Sequence, residues 1–330
     1  MVEKDYNAIN EGIQRESLPN RIFRIPEIGV LIPLIVITLI FGSIKPVFLS
    51  TINILTIVRA IPFYGIVAIG MAYALIAGQI DISVGSVAGL SAIMAGIFIV
   101  KVGMPIGLGM ILALLIAAFI GLINGILSVK LKIPAIIVTL GMLYAARGAI
   151  VVLTEGRIIY PLTESLNNFG KATPLGTSWS FIIYVVLIIL CDFVLRKTIL
   201  GRKIYATGAN VLVARLNGIN TDLVRISTHV FVSFLAGLAG ILFMFSMKRG
   251  SPNIGVGWEF LIIAGTIIGG VSLLGGFGTV WGAFLGIIIM QVIFNGLVLV
   301  GVKPAWQTIV LGAMMVSAAG FDTWRRTRKT

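Results

Sequence analysis

Gly78-Gln-Ile-Asp-Ile-Ser-Val-Gly85 interrupts a long apolar run with one carboxylate, one amide and two glycines, and Gly250-Ser-Pro-Asn-Ile-Gly-Val-Gly257 interrupts another 172 positions later. Asp81 falls on Asn253 in that alignment. Farther on, Asn124-Gly125, Pro134-Ala135 and Leu140-Gly141 fall on Asn295-Gly296, Pro304-Ala305 and Leu311-Gly312, at offsets of 171, 170 and 171. Matched pairs in one order at a nearly constant offset are the mark of an internal duplication.

The residues around these stretches decide the setting. Of 330 residues, 58% are hydrophobic and 11% charged, with a mean hydropathy of +1.08. A soluble domain carries about a quarter charged residues, so this apolar excess belongs in a bilayer. A hydrocarbon core about 30 Å thick takes roughly 20 apolar residues per helix. Ten candidate spans meet that need, near 29–44, 61–77, 84–102, 106–128, 134–153, 179–195, 226–246, 258–274, 279–299 and 305–321. The segments are continuously apolar and do not alternate, which predicts helices and excludes barrel strands. The expected fold class is therefore all-α, a polytopic membrane protein with about ten transmembrane helices. Spans two to five repeat as seven to ten. A shift of five spans, an odd number, makes the two halves inverted across the membrane.

Basic residues set the orientation. Residues 1–28 mix five acidic and four basic side chains, too long and too acidic for the start of a signal peptide, and predict a cytosolic tail before an uncleaved first helix. With that tail inside, sixteen basic residues fall on inner segments: Lys4, Arg15, Arg21, Arg24, Lys130, Lys132, Arg196, Lys197, Arg202, Lys203, Arg215, Arg225, Arg325, Arg326, Arg328 and Lys329. Seven fall outside: Lys45, Lys101, Arg157, Lys171, Lys248, Arg249 and Lys303. The asymmetry predicts an inner-membrane protein with both termini cytoplasmic. It also turns the net charge of +13 into a topology signal and removes the need for a nucleic-acid partner. The expected organisation is a cytosolic tail at 1–28, a transmembrane domain at 29–321 and a cytosolic basic tail at 322–330. Within the domain, repeat one covers about 61–153, a cytosolic loop 200–225 and repeat two about 226–321.

Several chemistries are excluded. One Cys (Cys191) and one His (His229) cannot build a disulfide framework, a zinc site or a haem pair. No GxxxxGK[ST] loop occurs, so any ATP is held by another chain. The Gly269–Gly286 run lacks the strand-turn-helix setting and acidic ribose partner of a dinucleotide loop; small residues here predict close helix packing.

The polar residues within the apolar background are the candidates for function. Asp81 and Ser83 are placed to cap span three, and Asn253 the segment before span eight; direct contact with a polar solute is the alternative. Arg59 and Arg147 are read as snorkelling at helix ends, or as partners of Asp81. Asn210 caps a short helix, Val211–Leu216, which Gly218 ends. So short a helix needs support, either from a partner protein or from the lipid interface. Trp258, Trp281, Trp306 and Trp324 are expected at the interfaces, and Cys191 and His229 as packing or interfacial residues.

Four stretches together resemble the permease subunit of ribose-type ABC sugar importers, from about residue 45 onward. They are Gly78 to Ser86, Leu131-Lys-Ile-Pro-Ala-Ile-Ile-Val-Thr-Leu-Gly-Met142, Tyr205-Ala-Thr-Gly-Ala-Asn210 with Ala214-Arg215 and Gly218-Ile219, and Gly269-Gly-Val-Ser-Leu-Leu-Gly-Gly276. Gln79 stands where a second glycine is common in that family. The resemblance implies a permease that pairs with itself or a sibling, ATPase subunits that carry ATP and Mg, and a periplasmic sugar-binding protein that delivers a monosaccharide. This chain itself would hold no cofactor or metal and perform no catalysis. Ala206, Thr207, Gly208, Asn210, Ala214, Arg215 and Gly218 would then form the coupling region that docks on the ATPase.

Repeat symmetry and resemblance together assign Asp81, Ser83, Asn124, Pro134, Thr139, Asn253, Asn295, Pro304 and Trp306 to the pathway or the repeat motif. Outside, Arg157, Lys248 and Arg249 either pair with acidic residues of the binding protein or stand solvated. The rival reading is a secondary transporter driven by an ion gradient, which would want carboxylates deep in the spans; Asp81, Asp192 and Glu259 are the only acids near them.

Overall fold

A computed structural model of the protein describes residues 26–162 and 177–327, with side chains placed between 29 and 323. The tail 1–25, Lys171, Arg328 and Lys329 lie outside the described residues, as do the side chains of Trp324, Arg325 and Arg326. The described residues form twelve α-helices: α1 (Pro26–Ile44), α2 (Thr51–Ile76), α3 (Val84–Gly96), α4 (Ile106–Val129), α5 (Ala135–Thr154), α6 (Trp179–Lys197), α7 (Ile199–Ala209), α8 (Val211–Leu216), α9 (Thr221–Met247), α10 (Trp258–Ile268), α11 (Val280–Val300) and α12 (Pro304–Thr327). A 3-10 turn, Pro46–Leu49, precedes α2, and a π-helical turn, Ile97–Lys101, extends α3.

Eight of these elements are long and apolar enough to cross a membrane, and Gly29–Ile44 and Trp258–Ile268 are shorter apolar helices. Together they account for the ten expected spans. Boundaries differ from expectation in several places: the seventh span starts at Thr221 and the tenth runs on to Thr327, and two further differences have a visible local cause. The second span starts at Thr51, because the Ser50 hydroxyl accepts from the Asn53 backbone N–H and the helix continues through Thr56 and Arg59. The eighth ends at Ile268, where the chain leaves the helix for a turning segment from Gly269 to Thr279.

Duplication is visible in the packing. Helix α2 corresponds to α9, α3 to α10, α4 to α11 and α5 to α12; their first residues are offset by 170 (221 − 51), 174 (258 − 84), 174 (280 − 106) and 169 (304 − 135). Helix α9 packs on α3 and α4, and its counterpart α2 packs on α10 and α11. Likewise α3 packs on α5, and α10 on α12, while α2 and α9 pack on each other, so closely that a Cβ on Gly70 would lie 2.7 Å from the Val232 Cα. The inversion is equally plain. Ile76, at the end of α2, lies against Gly208 of α7, and Asp222, at the start of α9, bonds Arg215 of the adjoining α8. Equivalent helices therefore run in opposite directions through the bundle.

Helix α9 is the axial element. Val232, Leu235, Ala236, Ala239, Ile241 and Leu242 are buried along it. In lipid there is little hydrophobic drive between helices, so its alanines and glycines matter by letting neighbours come close enough for dense van der Waals contact. Trp258 joins this core, its ring tilted against that of Tyr64 at 4.8 Å and edge-to-face with that of Phe243 at 5.2 Å, which corrects its expected interfacial place. Polar side chains also fix register. Asn53 and Asn295 exchange a pair of amide hydrogen bonds, both 2.9 Å, between α2 and α11.

The two interruptions of the repeat meet inside the bundle. Backbone packs on backbone there: a Cβ on Gly255 would lie 2.0 Å from the Gly85 carbonyl oxygen, and one on Gly85 2.3 Å from that of Gly255. Gly255 also has φ of 76°, in the left-handed region that favours glycine.

Candidate functional site

The segment between α2 and α3 carries an enclosed polar cluster. Asp81 is fully buried, and its carboxylate draws donors from three directions. Oδ1 accepts from the Ser83 backbone N–H at 2.9 Å and the Ser83 hydroxyl at 2.5 Å; Oδ2 faces His229 Nδ1 at 3.1 Å and Asn124 Nδ2 at 3.3 Å. Asn124 also donates to Ser83 Oγ at 3.0 Å. Beside them, Gln79 Oε1 accepts from Ser128 Oγ at 3.3 Å and lies 3.3 Å from His229 Nε2. The cluster thus clamps one loop to α4 and α9. A buried carboxylate in a membrane requires such compensation, because an unpaired one costs about 2.5 to 3.5 kcal/mol on insertion scales.

His229 is therefore not the packing or interfacial residue expected. It sits at zero exposure, paired to Asp81. The capping expectation for this loop also takes a modified form: Asp81 receives the Ser83 N–H, whereas the Ser83 side chain makes no cap to α3.

Near this loop lies an elbow made by α7 and α8. Asn210 Oδ1 accepts from the Leu212 and Val213 N–H groups at 3.0 and 3.1 Å, and Gly218, with φ of 78°, follows the end of α8. Gly208 seats the elbow, since a Cβ there would lie 1.7 Å from the Ile76 carbonyl oxygen and 2.7 Å from the Gly276 nitrogen. Tyr205 Oη–H donates to the Gly278 carbonyl at 2.6 Å, and Gly276 N–H donates to the Ile76 carbonyl at 2.8 Å. Thr207 and Ala214 are buried and Ala206 half-buried in this seat. Arg215 is bound to Asp222 and, through Nε at 2.7 Å, to Thr221 Oγ1. Lys130 reaches the same Asp222 at 3.0 Å. By contrast, Leu212, Val213 and Leu216 are exposed, at 68%, 51% and 79%. They form an apolar surface, without a partner among the described residues, on a capped six-residue helix.

The remaining candidates are scattered. Asp81, Ser83 and Asn124 come together, but Asn295 is engaged with Asn53, and Asn253 is exposed, its N–H bonded to Ser251 Oγ at 3.3 Å. Thr139 Oγ1–H bonds back to the Ala135 carbonyl within α5. Pro134 opens α5 and Pro304 opens α12, where Trp306 is exposed. At the other end of the bundle, backbone hydrogen bonds between Ile159 and Gly250, 2.8 and 3.0 Å, bring the Arg157 segment beside Lys248 and Arg249. Arg157 lies 3.5 Å from Glu155, and Arg249 is exposed.

Arg147 is neither snorkelling nor paired with Asp81. Its Nη1–H groups donate to the Ile254 and Pro252 carbonyls at 2.8 and 3.4 Å, tying α5 to the second repeat's interruption. Arg59 is exposed, as snorkelling requires. Sequence reasoning missed Gln79, Ser128, Asp222 and the Leu212/Leu216 surface. The signal for His229 was the need of Asp81 for a cation; the signal for the surface was two leucines four apart on a helix that Asn210 already marked.

Comparison with known proteins gives a consistent set. The family model described as branched-chain amino acid transport system / permease component matches residues 53–319. The chain is similar to the ribose import permease protein RbsC of Escherichia coli (strain K12), 33% identical over 88% of this chain and 92% of that protein. It is 35% identical to the autoinducer 2 import system permease protein LsrC of Photorhabdus luminescens, over 78% of this chain and 77% of that one. It is 29% identical to the L-arabinose ABC transporter permease protein AraH of Azospirillum brasilense, over 91% and 88%. No solved structure matches it significantly.

Proposed function

Because the chain belongs to the family of transport-system permease components just described, we propose that it is the membrane-spanning subunit of an ATP-driven importer that carries a monosaccharide or a similar small polyol into the cell. The sugar class rests on the ribose, arabinose and autoinducer 2 importers among its relatives. The protein lies in the inner membrane with both termini in the cytoplasm. A second permease chain, identical or a sibling, completes the pathway, and a periplasmic binding protein delivers the sugar. ATP and Mg reside on separate ATPase subunits; this chain moves and does not catalyse.

The observation that carries the reading is the elbow. Its apolar tip, Leu212, Val213 and Leu216, is exposed while Gly208 beds its base directly on the end of α2. A push on the tip therefore reaches a transmembrane helix through backbone contact. ATP binding closes the ATPase dimer, the elbow moves with it, and the two inverted halves rock about the contact of α2 with α9. A solvated sugar passes by weak contacts to hydroxyl, amide and backbone groups, which hold it too loosely to trap it.

Two measurements test the partner surfaces. Burying two leucines contributes about 1.5 to 3 kcal/mol each, so Leu212→Asp with Leu216→Asp is expected to lower recovery of the ATPase with the tagged chain by about tenfold or more. Recovery at the unaltered level would remove the elbow from the interface. On the opposite face, Lys248→Ala with Arg249→Ala is expected to weaken binding-protein docking by about threefold to tenfold and to flatten its salt dependence. An unchanged affinity and salt slope would show that these cations face solvent alone. The function as a whole is tested by reconstituting the co-purified complex and asking which sugar stimulates its ATP hydrolysis and enters the vesicle.

A further inference from the structure

His229 is the chain's single histidine, and its two ring nitrogens face two different oxygens. Nδ1 meets Asp81 Oδ2 at 3.1 Å and Nε2 meets Gln79 Oε1 at 3.3 Å. The identity of the second oxygen is fixed by its surroundings. Gln79 Nε2–H donates to the Gly78 carbonyl at 2.8 Å, and Ser128 Oγ–H donates to Oε1 at 3.3 Å. Turning the amide over would set its oxygen against the Gly78 carbonyl and its NH2 against the ring. Asp81 offers no proton either: Ser83 N–H and Oγ–H occupy Oδ1 and Asn124 Nδ2–H approaches Oδ2, the surroundings of an ionised carboxylate. A neutral imidazole would leave one ring nitrogen bare against an oxygen that can only accept.

We infer that His229 is held as an imidazolium, and that its ion pair with Asp81 is the positioning element tying the seat of the α7–α8 elbow to the axial helix α9. Within the pair one buried cation offsets one buried carboxylate at zero exposure, while Arg225, one turn earlier on α9, is a half-buried cation whose Nε has no hydrogen-bond partner among the described residues. Other titratable groups on the elements packed against α9 are engaged or exposed. Helices α3 and α4 carry none; Tyr73 donates to the Cys191 carbonyl, Tyr64 packs against the Trp258 ring, Tyr205 bonds Gly278, Arg215 bonds Asp222, and Arg59, Arg202 and Lys203 are exposed. The positioning role rests on the importer reading above. Gly78, next to Gln79, packs near Gly208, so a displaced elbow meets the loop that His229 holds. The loop and α9 then move together or the ion pair breaks.

A single histidine makes the charge state directly observable. In the full chain, labelled with 15N histidine and placed in lipid nanodiscs at neutral pH, both ring nitrogens are expected to show a directly bonded proton. Asp81→Asn is expected to leave one of them bare. A bare ring nitrogen in the unaltered protein overturns the imidazolium. The positioning role is read separately, in the complex reconstituted with its ATPase and binding protein. Asp81→Asn and His229→Asn are each expected to lower uptake per ATP hydrolysed by about tenfold, as loss of a charged hydrogen bond would. A structural role alone would reduce the amount of assembled complex and leave that ratio at the unaltered value; that result overturns the positioning role. Absence of ATP-driven uptake in the unaltered complex overturns the importer reading, and the positioning role with it, while the charge state stands or falls on the spectrum.

Discussion

Gly208→Ala is expected to leave the chain in the membrane and to lower ATP-driven sugar uptake by about tenfold or more. The added methyl would lie 1.7 Å from the Ile76 carbonyl oxygen and 2.7 Å from the Gly276 nitrogen. Both obstacles are backbone, so no side chain can swing aside, and relief comes only by lifting α7 off the end of α2. Overpacking of this kind costs about 1 to 3 kcal/mol. Within α7 itself alanine is favoured over glycine by about 1 kcal/mol, so the helix persists while its seat is lost. Uptake in proteoliposomes, set against the amount of ATPase bound, separates the two effects. A variant that binds its ATPase and transports within about twofold of the unaltered protein would mean that the seat of the elbow carries no force.

Gly255→Ala is expected to act on stability. Two effects add here. A left-handed conformation costs a non-glycine residue about 1 to 2 kcal/mol, and the methyl would lie 2.0 Å from the Gly85 carbonyl oxygen, adding about 1 to 3 kcal/mol of strain. The sum is a large part of the 5 to 15 kcal/mol that ordinarily holds a fold. Thermal unfolding in detergent is expected to shift down by about 5 °C or more. Gly148→Ala is the matched control, because nothing lies within 4 Å of a Cβ there. Equal melting of the two variants would mean that the contact between the repeats is not tight in the membrane protein.

These two glycines illustrate what the sequence could and could not reveal. Position 255 lies in the interruption from which the duplication is read, and the helices flanking both interruptions stand at offsets close to those of the matched pairs. Spans, repeat and elbow are legible because each depends on local pattern: apolar length, fixed offset, and an Asn before a short apolar helix. The cluster around Asp81 is not local. Its members, residues 79, 81, 83, 124, 128 and 229, come from one loop and two helices, and only the crossing of those elements brings an imidazole to a carboxylate 148 positions away. The place of Arg147 is hidden in the sequence for the same reason. Its partners are the backbone carbonyls of residues 252 and 254, which carry no side-chain signature.

The paired amides of Asn53 and Asn295 bear on the order in which the protein is built. They lie 242 residues apart, on the second and ninth spans, and each side-chain oxygen accepts from the other residue. A ribosome delivers the first of them long before the second. Until α11 enters the bilayer, the Asn53 oxygen lacks this donor, although its NH2 group can already reach the Phe48 carbonyl at 2.8 Å. Closing the pair is thus a late event in biogenesis, and a truncated chain that stops before Asn295 carries an open amide for which other membrane components can compete.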